Sequence, residues 1–267
     1  MTDHHHLADP PSAQPHLVPS RNSAPTASDA ELTLDVAALL LDMDGTLIDS
    51  GPAVLRCWNR LFVELGAKDA DGQPLTYRPA LHGMPARTVL RHAIPSLTDD
   101  EVEDAFARIE TLETEDLDGV TVLPGTVELL DRLTALGEEI GKEVWTIVTS
   151  CTTPLFQARW GATGLPVPAH TVTVDQVLVG KPEPDPYLEG ARRLGVDPAD
   201  CLVLEDAVGG LLSARAAGAQ AIAVSHTSQV HDLRRLARTV VSSLADLTVN
   251  RCGDMLRVTA PLDSPTD

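Results

Sequence analysis

The sequence is short of positive charge. It holds 20 lysine and arginine residues against 39 aspartate and glutamate residues, which gives a net charge of −19. Nucleic acids and anionic membrane surfaces would repel such a chain, so neither is expected as a partner. A small anionic ligand is not excluded, because a lysine, a cation and a few backbone N–H groups can reverse the potential inside one site.

Long apolar runs and cysteine motifs are also missing. No stretch approaches the roughly 20 apolar residues that span a bilayer, and the N-terminus lacks the basic and apolar regions of a signal peptide. We therefore expect a cytoplasmic protein, and we expect a monomer. The four cysteines show no Cys-x-x-Cys spacing, which indicates neither a zinc site nor a disulfide framework.

Two aspartates, Asp42 and Asp44, follow directly on an apolar run in LLLDMDGTLIDS. A buried parallel strand has this pattern where it delivers polar groups to the carboxyl edge of its sheet. Gly45 allows a tight turn there. Asp49 and Ser50 suit the cap of a following helix. The segment therefore predicts a strand, an acidic loop and a helix.

Composition and apolar periodicity divide the chain into four parts. We expect a disordered tail over residues 1–33, an α/β core over 34–50 and 118–250, a helical cap domain over 51–117 and a loose tail over 251–267. The first tail is rich in Pro, Ser, Ala, Asp and His, which is typical of disorder. Its run of three histidines could bind a metal adventitiously, but a solvated tail without function is the better interpretation.

Strands alternate with helices of about ten residues in the predicted core. The pairs are TVELLDRLTALG with VWTIVTS, PLFQARWGATG with HTVTVD, PYLEGARRLG with CLVLED, and GGLLSARAAG with AIAVSH. This alternation predicts an α/β fold, a Rossmann-like parallel sheet with helices on both faces. In the insertion, PAVLRCWNRLFVELG predicts an amphipathic helix with an apolar stripe of Leu55, Trp58, Leu61, Phe62 and Leu65. ARTVLRHAI and DDEVEDAFARIETLE predict two more helices.

Reactive side chains follow three of the predicted strands. They are Asp42 and Asp44 after the first strand, Thr149 and Ser150 after VWTIV, and Glu205 and Asp206 after LVL. Ligands of open α/β sheets bind outside the carboxyl ends of the strands, so these groups are expected in one crevice. Lys181 lies in GKPEPDPY, where prolines keep the backbone extended, and it can reach the same edge.

These four motifs, in this order, resemble the haloacid dehalogenase superfamily in its branch with a small helical cap after the first strand. The resemblance implies a nucleophilic Asp42, and the chemistry of the residues agrees with it. A carboxylate can take a phosphoryl group as an aspartyl phosphate. Asp44 can protonate the leaving oxygen and then deprotonate the attacking water. Lys181 can shield the nucleophile from the phosphate, and Thr149, Ser150 and Gly45 are predicted phosphate-binding residues.

Acidic groups beside a phosphate dianion need a cation, and Mg²⁺ prefers oxygen ligands. The predicted ligands are Asp42, the backbone carbonyl of Asp44, Asp206, and Glu205 through water. Each of these residues also has a simpler interpretation, since aspartate favours turns and caps and acidic residues complement helix dipoles. The four motifs together favour catalysis.

The predicted cap should set specificity for a small phosphorylated substrate. LHGMPARTVL resembles the cap loop of phosphatases of the 2-deoxyglucose-6-phosphate and glycerol-phosphate type, and it places Arg87 and His82 as substrate-facing candidates. A surface arginine and a loop histidine are equally compatible with the pattern.

Alternatives to a phosphatase remain at this point. Dehalogenases resemble an Asp-x-Tyr pattern, and Asp44 argues against them. Phosphonoacetaldehyde hydrolases need a cap lysine, and the insertion has only Lys68. Beta-phosphoglucomutases share all four motifs, but they typically carry a histidine shortly after the nucleophile loop, where this chain has GPAVLRCW. A non-catalytic phosphate-binding module is disfavoured, because the nucleophile, the acid, the lysine and the metal ligand are all present.

Overall fold

The computed structural model describes residues 1, 31–78, 81 and 84–262. Its α-helices are α1 (Gly51–Glu64), α2 (Ala86–Ala93), α3 (Asp99–Glu115), α4 (Thr126–Ile140), α5 (Thr153–Thr163), α6 (Asp185–Leu194), α7 (Val208–Ala216) and α8 (Val230–Arg234). Its strands are β1 (Glu31–Val36), β2 (Ala38–Leu41), β3 (Ile48–Asp49), β4 (Thr121–Val122), β5 (Trp145–Ile147), β6 (Cys201–Glu205), β7 (Gln220–Val224), β8 (Val240–Val241), β9 (Thr248–Cys252) and β10 (Met255–Pro261). Across this described part, no helix combines the length and apolarity of a membrane span.

A five-stranded parallel sheet lies at the centre, in the order β5-β2-β6-β7-β8. Alternate residues of β2 point to opposite faces of the sheet. Leu39 and Leu41 pack in one core with the apolar faces of α4 and α5, whereas Leu40 packs in a second core with residues of α6 and α7. Helices cover both faces, and the predicted α/β fold is confirmed.

Three helices, α1 to α3, follow β2 and have an apolar core of their own. Trp58, Phe62, Leu90 and Ile109 are buried in it, and the Trp58 ring stacks on Tyr77 with a centroid distance of 5.5 Å. The predicted apolar stripe of α1 is partly wrong, because Leu55 and Leu65 are exposed. Ala53, Val54 and Cys57 are buried in their place, with Trp58, Leu61 and Phe62.

A second sheet includes residues from both predicted tails, so both predictions are wrong in part. Strands β1, β10 and β9 form an antiparallel sheet in the order β1-β10-β9. Residues 31–33 therefore belong to a strand, and the predicted loose end over 251–267 is wrong as far as Pro261. Every second residue of β10 points inward, so that Leu256 and Val258 are buried against Leu34 and Val36. Residues 2–30, including the three histidines, and 263–267 lie outside the described residues.

The strand predicted at HTVTVD does not form. Val172 makes one isolated bridge to Val148, and Val174–Gln176 is a short 3-10 turn. The 3-10 turn begins two residues after the bridge and leaves no room there for a longer strand. The helix α8 and the edge strand β8 are among the elements that had no predicted counterpart.

Candidate active site

The carboxyl ends of β2, β5 and β6 meet at one edge of the parallel sheet. Asp42 follows β2, and its backbone N–H donates to the Leu204 carbonyl of β6 at 3.0 Å. Glu205 ends β6 and Asp206 follows it. Because all three strands run in the same direction, these carboxylates lie side by side, and all three are buried.

Lys181 joins this group from the loop before α6. Its Nζ donates to Asp42 Oδ1 at 2.7 Å, to Glu205 Oε1 at 2.7 Å and to the Val148 carbonyl at 3.0 Å. The lysine is 5% exposed, so water does not screen these contacts strongly. The structure therefore brings the predicted nucleophile, the predicted lysine and Glu205 into direct contact.

The titration of these groups reflects their burial. Burial raises the pKa of Asp42 to about 7, and the charge of Glu205 acts in the same direction while Lys181 opposes it. The pKa of Asp206 is raised well above its usual value by burial and then by Glu205 and Asp42. Burial alone would lower the pKa of Lys181, but Asp42 and Glu205 raise it well above its ordinary value. The site thus has more negative charge than Lys181 can neutralise.

The carboxylates of Asp42, Glu205 and Asp206 fit a divalent cation. Each offers an oxygen atom, and these atoms all lie within 4.8 Å of one another. Hard cations such as Mg²⁺ prefer such oxygen ligands. Gly45 keeps the space beside Asp206 open, because a Cβ there would lie 2.0 Å from Asp206 Oδ2. Its φ of +86° also suits glycine.

Glu205 is more fully engaged than the other two acids. Its Oε1 accepts from Lys181 and, at 3.2 Å, from the Tyr187 hydroxyl. Its Oε2 accepts from the backbone N–H groups of Asp206 and Ala207 at 2.9 and 2.8 Å. Asp42 and Asp206 are consequently the better placed direct ligands of a cation. Glu205 holds the Lys181 side chain in position.

The Asp44 side chain has hydrogen-bond partners that differ from those of this cluster. Its Oδ1 accepts from Ser50 Oγ and, at 3.0 Å, from Arg159 NH1, while its Oδ2 accepts from Cys151 Sγ at 3.0 Å. Burial, and then the charge of Asp44, raise the pKa of Cys151 well above its usual value, so the thiol remains a donor. Ser50 is the first residue before α1, yet its hydroxyl contacts Asp44 and makes no helix cap.

Thr149, Ser150 and Gly45 were predicted to bind phosphate. Thr149 and Ser150 line the cavity in front of Asp42. The Thr149 hydroxyl accepts from the Cys151 N–H at 3.1 Å, and neither residue caps α5, whose N-cap is Thr152. The backbone N–H of Gly45 donates to the Ile48 carbonyl at 2.8 Å. Gly45 provides space for Asp206.

The cavity before these residues has a volume of about 190 Å³. The sheet edge forms its polar floor, and α1 to α3 contribute a mostly apolar roof that includes Trp58, Val89, Phe106 and Ile109. Arg87 lines it as well, but its guanidinium makes two 2.7 Å bonds to Glu103 and lies 3.6 Å from the centre of the Phe106 ring. His82 lies outside the described residues.

Several residues at the site were not predicted. Thr46 donates to Asp42 Oδ2 at 3.1 Å, and Thr227, from the loop after β7, donates to Asp206. Thr46 was visible within the Asp-x-Asp-Gly-Thr motif, and Thr227 follows a predicted strand end. Arg159 and Glu113 gave no such signal, because each lies within an ordinary helical pattern.

Comparison with known proteins agrees with this geometry. Hexitol phosphatase A of Escherichia coli (strain K12) is 40% identical over 79% of this chain and 93% of its own length. Glycerol-1-phosphate phosphohydrolase 2 of Saccharomyces cerevisiae is 31% identical over 76% of this chain and 80% of its own length.

Among solved structures, a hydrolase from Pseudomonas syringae superposes with a TM-score of 0.66 at 27% identity, covering 78% of this chain and 94% of that one. The model of a protein family described as "Hydrolase: haloacid dehalogenase-like hydrolase" matches residues 36–218. That stretch contains all four motifs around the sheet edge. The chain belongs to the haloacid dehalogenase-like hydrolase family.

Proposed function

We propose that this protein is a phosphatase that hydrolyses a small sugar or polyol phosphate through an aspartyl phosphate on Asp42. One observation carries the proposal. Lys181 Nζ lies 2.7 Å from both Asp42 and Glu205. Asp44, which follows Asp42 by two residues, lines the cavity under α1 to α3. A nucleophile, a fixed positive charge and a separate acid are thus arranged around one small space.

In the first step, a carboxylate oxygen of Asp42 attacks phosphorus and the bond from phosphorus to the substrate oxygen breaks. Lys181 holds Asp42 in place and offsets the charge of the phosphate. Asp44 gives its proton to the leaving oxygen, so that an alcohol departs rather than an alkoxide.

In the second step, Asp44 takes a proton from water as that water attacks phosphorus. The bond between Asp42 and phosphorus breaks, and inorganic phosphate is released with the enzyme restored. Mg²⁺ held by Asp42 and Asp206 would supply the positive charge that the buried carboxylates and the phosphate lack. Apolar side chains above the site exclude other water.

The proposed substrate class rests on cavity size and on the relatives. Drug-sized ligands occupy pockets of roughly 300–1,000 Å³, and this cavity of about 190 Å³ favours a smaller molecule. Hexitol phosphatase A and glycerol-1-phosphate phosphohydrolase 2 are named for polyol phosphates. Arg87 lines the cavity and is proposed to face the substrate while Glu103 holds its guanidinium.

The test is release of inorganic phosphate from hexitol, hexose and glycerol phosphates, with Mg²⁺ or with EDTA. We expect activity only with Mg²⁺, and a loss of at least about 10³-fold in Asp42→Asn, because a covalent nucleophile is removed. Asp35→Asn is the matched control, since Asp35 is paired with Arg257 on the surface.

Three results would contradict the proposal. Activity that persists in EDTA or in Asp42→Asn would exclude the mechanism. Conversion of beta-glucose 1-phosphate to glucose 6-phosphate without release of phosphate would show a mutase instead.

A further inference from the structure

We propose that Arg159 is a positioning residue that links the orientation of the Asp44 carboxylate to the seating of α3 over the sheet edge. The inference rests on the proposed phosphatase reaction, in which Asp44 serves the leaving group. Arg159 belongs to α5 of the core and Asp44 to the loop after β2, whereas Glu113 belongs to α3. These three residues come from separate parts of the chain and meet in one buried contact. The helices α1 to α3 are called the helical segment below.

Arg159 lies between two acids. Its NH1 donates to Asp44 Oδ1 at 3.0 Å, and its NH2 lies 3.3 Å from Glu113 Oε1. The side chains of Arg159, Glu113 and Asp44 are only 5, 10 and 16% exposed, so water screens these attractions weakly. A change in the position of either acid is therefore felt by the other through the shared guanidinium.

The hydrogen bonds of the guanidinium show which contact dominates. NH1 bonds Asp44 and also contacts Cys151 Sγ at 3.4 Å. Nε and NH2 are buried and have no hydrogen-bond partner of good geometry among the described residues. An arginine kept only for stability would be expected to satisfy more of its five donors. The well-made bond goes to the catalytic acid, and the contact with α3 is the looser one.

A second contact joins the same two helices. Thr152, the residue before α5, donates to Glu110 of α3. Glu110 and Glu113 are three residues apart and therefore lie on one face of α3. That face meets α5 through both contacts and also lines the roof of the cavity. When α3 packs on α5, Glu113 lies close to Arg159. Arg159 then keeps the Asp44 carboxylate in its orientation.

The chemistry of the leaving group separates positioning from stability. An alkyl phosphate needs a proton on its leaving oxygen, whereas p-nitrophenolate departs from p-nitrophenyl phosphate without one. The ratio kcat/KM reports the steps up to transfer of the phosphoryl group to Asp42. A displaced Asp44 should therefore lower kcat/KM for the alkyl phosphate far more than for the aryl phosphate.

The experiment compares Arg159→Gln with the wild type on glycerol phosphate or hexitol phosphate and on p-nitrophenyl phosphate. We expect kcat/KM to fall by about 10²-fold for the alkyl phosphate and by less than about tenfold for the aryl phosphate. The matched control is Arg108→Gln, which removes a surface pair with Glu64 and should leave both values unchanged. Equal losses on the two substrates, or no loss, would overturn the proposal.

Glu113→Gln tests the proposed link between α3 and Asp44 by changing the residue on α3. It also tests the proposal if Arg159→Gln does not fold. We expect the same selective loss, smaller in size, and a double variant no slower than Arg159→Gln alone, because both changes break one network. Losses that multiply in the double variant, or a uniform loss in Glu113→Gln, would overturn the link. A wild type inactive on all these substrates would instead overturn the proposed function itself.

Discussion

The sheet edge and the helical segment above it are built from different side chains. At the edge, Lys181 contacts Asp42 and Glu205 with all three side chains buried. In the helical segment, Trp58 and Phe62 pack edge to face with a centroid distance of 5.8 Å, inside an apolar core. The stability of the sheet edge depends on the balance of its buried charges. The stability of the helical segment depends on the apolar area that is removed from water. Substitutions should therefore have different effects in the two regions.

The largest effect is expected for Lys181→Met. It leaves Asp42 and Glu205 buried without their cation, and loss of one partner of a buried ion pair destabilises by about 3–5 kcal/mol. Activity should fall by at least about 10²-fold. Urea unfolding and phosphate release measure the two effects. Lys142→Met on the surface is the control, and a Lys181 variant as stable as that control would show that charge balance does not govern the edge.

Magnesium should stabilise the edge in a manner that depends on pH. The pKa of Asp42 is about 7 in the fold against an ordinary 3.8, so the folded state binds more protons than the unfolded state between these values. Without metal, stability should therefore decrease as pH rises through this window. Protons compete with the metal, so the rise in Tm on adding Mg²⁺ should be greater at pH 8 than at pH 5.5.

At a Mg²⁺ concentration a hundred times Kd, the gain in stability is about 2.7 kcal/mol. Thermal unfolding in EDTA and in Mg²⁺ measures it. Asp206→Asn should lose the gain, and Asp35→Asn should keep it. A Tm that does not respond to Mg²⁺ at pH 8 would contradict a cation site at the three carboxylates.

An intermediate effect is expected at α7, where two adjacent glycines offer a matched pair. A Cβ on Gly210 would lie 1.6 Å from Glu205 Oε1, whereas a Cβ on Gly209 would meet nothing within 4 Å. Gly210→Ala should displace Glu205 from Lys181 and destabilise by about 1–3 kcal/mol. Gly209→Ala should be neutral or stabilising by up to about 1 kcal/mol. Similar urea midpoints for the two variants would contradict a tightly packed edge.

The smallest effect is expected for Arg87→Gln in the helical segment. The Arg87 and Glu103 side chains are about half exposed, and such pairs contribute about 0–1 kcal/mol to stability. If Arg87 faces the substrate, KM should rise several-fold with little change in the urea midpoint. Arg91→Gln, which breaks the exposed pair with Asp99, is the control. A loss of stability above that of the control would assign Arg87 a structural role.

Much of the core could be predicted because its signals are local. The run of leucines before Asp42 and the apolar strand before Glu205 each show a buried strand with polar groups at its end. The contact between Arg159 and Asp44 could not be predicted in this way. The two residues are 115 positions apart, and an arginine in a helix usually lies in solvent.

The predicted loose C-terminus failed for another reason. MLRVTAP alternates buried and less buried residues along β10, as a half-buried strand does, but the residues that flank it are rich in turn formers. The alternation becomes meaningful only when β1 is beside it, and β1 lies at the opposite end of the chain. Specificity in the helical segment is also poorly predicted, since most of its apolar residues serve its own core.

The pairing of β1 with β10 has a consequence for synthesis of the protein. Asp35 and Arg257 are joined at 2.7 Å across 222 positions of sequence. On the ribosome, β1 emerges before the other described strands, and it has no partner strand until β10 has been made. An unpaired strand edge promotes association with other chains. Chains that end before Met255 should therefore aggregate more readily than chains that include β10, even though every residue of the sheet edge is present.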